Sequence, residues 1–399
     1  MDLRSRLYDS IISEHLSQHR QMIFVTGTRQ VGKTTTCKSI GDSYLDWDND
    51  DHRDLIIAGP RALARELELD VMSPTPRIIV FDELHKYTRW RQFIKGFFDT
   101  HNDHCNILVT GSSRLDTYRR GGDSLMGRYF PYRMHPFTVA EIHSQQLPVD
   151  VLRTPIAIAA EDWQALWQYG GYPEPYLNRN VRFSRRWQDL RQTQLLREDI
   201  RDLTRVQDLD RLSTLGKVLA ARSGLQLIYS RLARDLRIAE NTVRSWINVL
   251  CSLHYGFILR PWHRNINKSL RKEPKWYLRD WSGIEDTGSR CETFVACHLL
   301  KAVEGWTDLG LGHFELFYIR DKQKREVDFL VTRDERPWFL VEAKYNDTHL
   351  SPNLAYFQKQ LACDHAFQVT LEGDYIDGDC FEFNRPIVVP AKTLLSQLL

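Results

Sequence analysis

Residues 24 to 36 read Phe24-Val25-Thr26-Gly27-Thr28-Arg29-Gln30-Val31-Gly32-Lys33-Thr34-Thr35-Thr36, two glycines, a lysine and a hydroxyl spaced as a P-loop. Gly27 and Gly32 let the backbone curl, so the N–H groups from Thr28, Arg29, Gln30 and Val31 through to Thr35 can face phosphate oxygens. Lys33 reaches the β and γ phosphates and the Thr34 hydroxyl coordinates Mg²⁺. These residues predict a nucleoside triphosphate site. A tight turn with an incidental lysine is the plain alternative, and the apolar strand before it and the helix after it weigh against that.

A second run, Arg77-Ile78-Ile79-Val80-Phe81-Asp82-Glu83, reads as a buried parallel strand with two carboxylates at its end. Asp82 is expected to hold the magnesium and Glu83 to polarise the water that attacks the γ phosphate. Glu83 is also suited to a helix start, where the dipole favours a carboxylate. A third strand, Asn106 to Thr110, ends in Gly111-Ser112-Ser113, and Ser112 or Thr110 is a candidate to bind the γ phosphate or the attacking water. Arg128 stands in the Gly-bounded stretch 121 to 130, either as an arginine finger for a neighbouring subunit or in a local ion pair.

The last third carries separate chemistry. Strands are expected at Phe314 to Ile319, Arg325 to Val331 and Pro337 to Lys344, the last two as a hairpin. Asp328 and Glu342 can jointly bind a divalent metal, and Lys344 can orient or activate a water beside a phosphate. Glu292, at the start of a long helix, adds a carboxylate if that helix packs over the hairpin. A structural ion pair of Lys344 with Asp328 or Glu342 is the alternative.

Between these regions, Ser230 to Leu236, a turn, and Thr242 to Leu250 form a helix-turn-helix pattern. Val243, Ile247 and Leu250 bury one face and turn Arg244, Ser245 and Asn248 outward as nucleic-acid-binding candidates. Tyr255 to Trp262 is placed to begin the wing of a winged helix, although such a unit can also serve only for packing. From Arg179 to Lys275 there are 21 Lys and Arg against 9 Asp and Glu, a balance of +12 in a chain of net charge +2. That segregation suits contact with a phosphate backbone.

The chain has 399 residues, enough for about two or three domains, and 42% of them are hydrophobic. No apolar run approaches the roughly twenty residues that span a bilayer, and the first twenty residues lack a signal-peptide core, so a cytoplasmic location is expected. Seven cysteines without a C-x-x-C pair favour neither disulfides nor zinc. The expected architecture is α/β in three parts: a P-loop domain with a parallel sheet at 1–150, a helical region with a winged helix at 151–275, and a second α/β domain at 276–399.

Taken together, the P-loop, Phe81-Asp82-Glu83-Leu84-His85-Lys86, Thr110 to Ser113, Ser124 to Phe130, Gly170-Gly171-Tyr172-Pro173-Glu174-Pro175, the helix-turn-helix, Glu326-Val327-Asp328 and Glu342-Ala343-Lys344 give a resemblance. The chain resembles the prokaryotic AAA-type ATPases that join a P-loop domain to a C-terminal domain of unknown function related to PD-(D/E)XK nucleases. That resemblance implies ATP and Mg²⁺ as cofactors, ATP binding at Gly32, Lys33 and Thr34, and hydrolysis through Asp82 and Glu83. It also implies a nuclease-like site of Glu292, Asp328, Glu342 and Lys344, with Gln358 as a possible further member, and Val327 departs from the proline usual in that motif. The expected activity is an ATPase that works on nucleic acid, DNA above all, with a metal-dependent nuclease-like domain. A remodeller with a non-cleaving DNA clamp and a nucleotide switch acting on protein partners are the alternatives. A homo-oligomer, with a hexameric ring as one form, follows if Arg128 acts in trans.

Overall fold

A computed structural model describes residues 4–111, 125–196, 200, 208–263 and 273–399. By packing, the chain divides into two compact units, Met1–His135 with Gln145–Leu147, and Pro136–Ser144 with Pro148–Leu399.

In the first unit, five strands make one parallel sheet in the order β2-β3-β4-β1-β5: β1 (Met22–Gly27), β2 (Ser43–Asp46), β3 (Arg77–Asp82), β4 (Cys105–Thr110) and β5 (Tyr129–Met134). Every residue of β1 is buried, as a continuous apolar run in the middle of a parallel sheet requires. Because all five strands point the same way, the residues that follow β1, β3 and β4 emerge along one edge. The helix Trp90–His101 supplies Phe93 and Phe97, which meet Phe81 of β3 edge-on with ring centroids 5.8 and 5.7 Å apart. That layer fixes the height of β3 and therefore of the carboxylates at its end.

The second unit begins with helices and ends with a mixed sheet. Helix Tyr229–Leu236, a turn through Arg237 in the left-handed region (φ 54°), and helix Glu240–Ser252 are followed by an antiparallel hairpin of β6 (Gly256–Leu259) and β7 (Lys275–Leu278). The buried face of the second helix is Val243, Trp246, Ile247 and Leu250, which adds Trp246 to the stripe read from the spacing.

Next comes helix Thr287–Asp308, then β8 (Phe314–Arg320), β9 (Glu326–Arg333), β10 (Arg336–Lys344), helix Pro352–Leu361, β11 (His365–Thr370) and β12 (Pro386–Pro390). The sheet order is β12-β11-β10-β9-β8, antiparallel from β8 to β10 and parallel from β10 to β12. Asp334 and Glu335, both at positive φ (49° and 66°), close the tight β9–β10 turn.

One lysine inside this unit has no contact with water. Lys301, on the long helix, is 1% exposed, donates to the Thr138 hydroxyl at 3.1 Å and pairs with Glu141, itself 0% exposed. Lys301→Met should lower unfolding free energy by about 3 kcal/mol or more, because a buried carboxylate loses its ammonium. Adding Glu141→Leu should restore much of that loss. Urea unfolding of the two variants checks both expectations.

Candidate functional site

Gly27 sits at φ 132°, and a Cβ there would stand 2.3 Å from the Met134 carbonyl oxygen on β5, so only glycine fits. Gln30 (φ 61°) and Gly32 (φ 102°) carry the turn on to helix Lys33–Ile40. The first helical bond runs from Thr36 N–H to the Gly32 carbonyl at 2.9 Å. The N–H groups of Lys33, Thr34 and Thr35 therefore lack intrahelical acceptors and face the loop mouth.

The Lys33 ammonium is buried and donates to the carbonyls of Gly27 at 2.9 Å and Thr28 at 2.8 Å. Burial lowers its pKa, and the carboxylates of Glu83 and Asp82 oppose that shift. Arg29, Gln30, Thr34 and Thr35 are exposed, whereas Thr28 and Val31 are buried. Arg6, before the first helix, is 4% exposed, and its guanidinium donates to the carbonyls of Val31 at 2.5 Å and His135 at 2.6 Å. It pins the loop from beneath.

Asp82 accepts hydrogen bonds from three hydroxyls: Thr34 at 2.8 Å, Tyr44 of β2 at 2.6 Å, and Thr110 at the end of β4. Hydroxyl and carboxylate oxygens are the hard donors magnesium prefers, so Thr34 and Asp82 fit that ion. Glu83 takes the left-handed conformation (φ 54°) and turns its carboxylate to Lys86 at 3.3 Å and His85 at 3.7 Å. Burial raises its pKa.

Ser112, the candidate from the third strand, lies outside the described residues, while Thr110 is in place on Asp82. Arg128 is not in this chain's own pocket. Its carbonyl accepts from Met22 N–H at the start of β1, the edge opposite the P-loop, and its guanidinium grips Asp99 through Nε at 2.7 Å and Nη2 at 3.0 Å. The local ion pair, one of the two roles foreseen for Arg128, is the one present.

In the second unit, Glu292, Asp328, Glu342 and Lys344 come close to one another, together with Lys275, Tyr277 and Glu326. Lys275, at the start of β7, is 4% exposed and lies 2.9 Å from Glu292, 2.7 Å from Glu326 and 3.5 Å from Asp328. The Tyr277 hydroxyl donates to the same Glu292 oxygen at 2.5 Å. Asp328 accepts from Ala343 N–H at 3.0 Å, and Lys344 pairs with Glu342 at 3.0 Å.

The second Glu342 oxygen, Oε2, is buried without a hydrogen-bond partner. Burial, with Asp328 adding to it, pushes both Glu292 and Glu342 up to about 7. Lys275 moves upward too, since the surrounding carboxylates outweigh its burial. Among the described residues no group of three or more His, Cys, Asp or Glu is arranged to hold a metal ion. The ammonium of Lys275 stands among the carboxylates instead.

Gln358 donates to the carbonyls of Asp364 at 3.2 Å and Asn384 at 3.1 Å, which ties down loops. On the helix-turn-helix, Arg244, Ser245 and Asn248 are exposed. Arg244 pairs with Glu240 at 2.6 Å and lies over the Tyr229 ring at 3.8 Å, so its guanidinium is already oriented.

The sequence signal for Lys275 was faint. A lysine leading the apolar run Trp276-Tyr277-Leu278 is a hint of burial, but nothing in spacing points to carboxylates up to 53 residues away. Arg6 and Tyr44 carry no local signature either.

Residues 19–143 match the model of the AAA domain family. Residues 160–284 and 287–382 match two domains of unknown function, DUF8612 and DUF4143. The first unit thus carries an AAA-type P-loop ATPase domain. Two uncharacterized proteins, from Mycobacterium bovis and Mycobacterium tuberculosis, are each 26% identical over 334 residues, covering 79% of this chain and 69% of their own length. Among solved structures, the chain is similar to AMPPCP-bound DnaA from Aquifex aeolicus (TM-score 0.31, 12% identity, 60% of this chain and 86% of that one). It is also similar to a RuvB variant from Thermotoga maritima (TM-score 0.27, 13% identity, 63% and 86%). No helix among the described residues is long and apolar enough to cross a membrane.

The raised carboxyl groups have a pH signature. A carboxyl whose folded pKa lies above its ordinary 4.5 contributes stability that is complete below 4.5 and lost as pH rises through about 7. Glu342→Gln should therefore melt higher than the unmodified protein at about pH 8, with the advantage gone below about pH 4.5. Thermal unfolding across that range checks it.

Proposed function

We propose that this protein is an ATP-hydrolysing AAA-type motor that acts on nucleic acid, DNA in the first place. One observation carries the reading: Lys33, the free amides of the helix start, and Asp82 with its Thr34 hydroxyl converge on the edge where the P-loop opens. The amides and Lys33 bind the phosphates, and moving Lys33 from the carbonyls of Gly27 and Thr28 onto a phosphate exchanges neutral acceptors for a charged one. Thr34 and Asp82 would hold Mg²⁺, which supplies charge neutralisation at the β and γ phosphates. Glu83 holds the attacking water and accepts its proton, and the raised pKa suits a base that works near neutrality. Thr110 and Tyr44 keep Asp82 oriented.

The nucleic-acid part rests on the basic stretch between Arg179 and Lys275 and on the exposed Arg244, Ser245 and Asn248, with the β6–β7 hairpin following as a wing would. For the last domain, the helix, three antiparallel strands, helix and parallel strand from Thr287 to Thr370 support a relation to PD-(D/E)XK nucleases. So do the positions of Glu292, Asp328, Glu342 and Lys344. A non-cleaving clamp is favoured over an active nuclease by one specific contact, the Lys275 ammonium among the same carboxylates. Self-assembly draws no support from Arg128, whose guanidinium is committed to Asp99.

Calorimetry with ATP and magnesium should show one site per chain, weakened about a hundredfold or more by Lys33→Ala, a loss of about 2.7 kcal/mol. Duplex, single-stranded or branched DNA should raise ATP turnover, and Glu83→Gln should abolish turnover while sparing binding. No heat on mixing with ATP would overturn the motor, and turnover indifferent to every DNA would overturn its target.

A further inference from the structure

The acidic cluster of the second unit is assembled from separate elements. Glu292 comes from the long helix, Glu326 and Asp328 from β9, and Glu342 from β10. Lys275 belongs to none of them. It leads β7, whose partner in the antiparallel hairpin is β6, and β7 is braced on its other side by main-chain bonds from Gly224 N–H to Trp276 O (2.7 Å) and Trp276 N–H to Leu225 O (3.0 Å). The ammonium is thus brought to the carboxylates from outside the sheet that carries them.

Formal charge is unbalanced there. With every group ionised, four carboxylates (Glu292, Glu326, Asp328, Glu342) give −4, and Lys275, Lys344 and Arg320, which pairs with Glu326 at 3.1 Å, give +3, leaving −1. A divalent cation in place of the Lys275 ammonium would bring the same sum to zero. A second observation points the same way: Glu342 is 8% exposed and its Oε2 has no hydrogen-bond partner, so a buried carboxylate oxygen has coordination left over. Oxygen donors from three elements around one small cation are what Mg²⁺ or Mn²⁺ takes, whereas an ammonium satisfies at most three of them.

We propose that Glu292, Glu326, Asp328 and Glu342 form a divalent-cation site that Lys275 fills as a tethered cation in this conformation. Displacement of the Lys275 side chain exchanges the ammonium for the metal. The proposal builds on the nuclease-like reading of the last domain and adds to it an internal block.

The test is Mn²⁺ binding to nucleotide-free full-length protein, followed by electron paramagnetic resonance, for the unmodified chain, Lys275→Gln, Lys275→Arg and Lys275→Gln combined with Asp328→Asn. Any Mn²⁺ held at the P-loop is common to all four and cancels. Lys275→Gln should bind one Mn²⁺ more per chain than the unmodified protein, or bind it at least about tenfold tighter. Adding Asp328→Asn should remove that gain, and Lys275→Arg should resemble the unmodified chain.

Should Lys275→Gln fold poorly, its refolding yield with and without about 1 mM Mn²⁺ carries the same information: recovery by the metal supports the site and indifference overturns it. Equal binding by the unmodified chain and Lys275→Gln overturns the block. If that equal binding includes an extra ion lost with Asp328→Asn, the nuclease-like reading survives without the block. If no extra ion appears in either, both fall.

Discussion

Lys275, itself 4% exposed, carries its charge into a group of partly buried carboxylates, and the second unit is arranged to satisfy it. A single ammonium meets a helix side chain (Glu292) and two residues of β9 (Glu326 and Asp328) within 3.5 Å. Taking any of these charges out of water costs several kcal/mol unless a counter-charge is in place. The elements that supply them are therefore not free to drift independently. The β6–β7 hairpin is held both by this ion pairing and by the apolar contacts of Trp276 and Leu278.

The first unit meets the same constraint with different donors. Asp82 is 5% exposed, yet it is held by three neutral hydroxyls, from Thr34, Tyr44 and Thr110. Lys33 in turn rests on main-chain carbonyls. Neutral partners give way to a stronger ligand at small cost, since an ion or phosphate replaces hydrogen bonds of modest net worth. The carboxylates around Lys275 are compensated by a full charge on a covalent tether, which an incoming cation must displace. One acidic site is poised and the other is plugged, and the difference lies in the kind of donor.

How much of this was legible follows from sequence distance. The P-loop could be read because its chemistry is local: Gly27, Gly32, Lys33 and Thr34 lie within eight residues, and the glycine positions are dictated by backbone geometry that only glycine satisfies. Asp82 was legible because a buried apolar run ends on it, and the faces of helix Glu240–Ser252 because period and burial coincide. Arg6, Tyr44 and Lys275 were not, since each acts through contacts with residues at least 17 positions away and the residue type alone gives no direction. Arg128 shows the opposite failure. A glycine-bounded arginine fits two roles equally well in sequence, and the Asp99 contact that the fold provides has no trace in the spacing.

Two buried lysines in the second unit make clear why exposure alone does not identify a functional charge. Lys301 and Lys275 are 1% and 4% exposed, both paired with carboxylates. Lys301 pairs with Glu141 and also donates to the Thr138 hydroxyl, a contact that joins the long helix to the segment before it. With both groups buried and paired, this contact reads as structure. Lys275 faces three acidic groups beside a fourth, Glu342, that keeps an oxygen without a partner. A purely structural pair has no need of the extra acids, each of which carries a desolvation cost, and Lys275, Lys344 and Arg320 together leave one formal carboxylate charge unmatched. The excess of carboxylate over cation, and not the burial of the lysine, is what marks the second cluster as a place where another positive charge belongs.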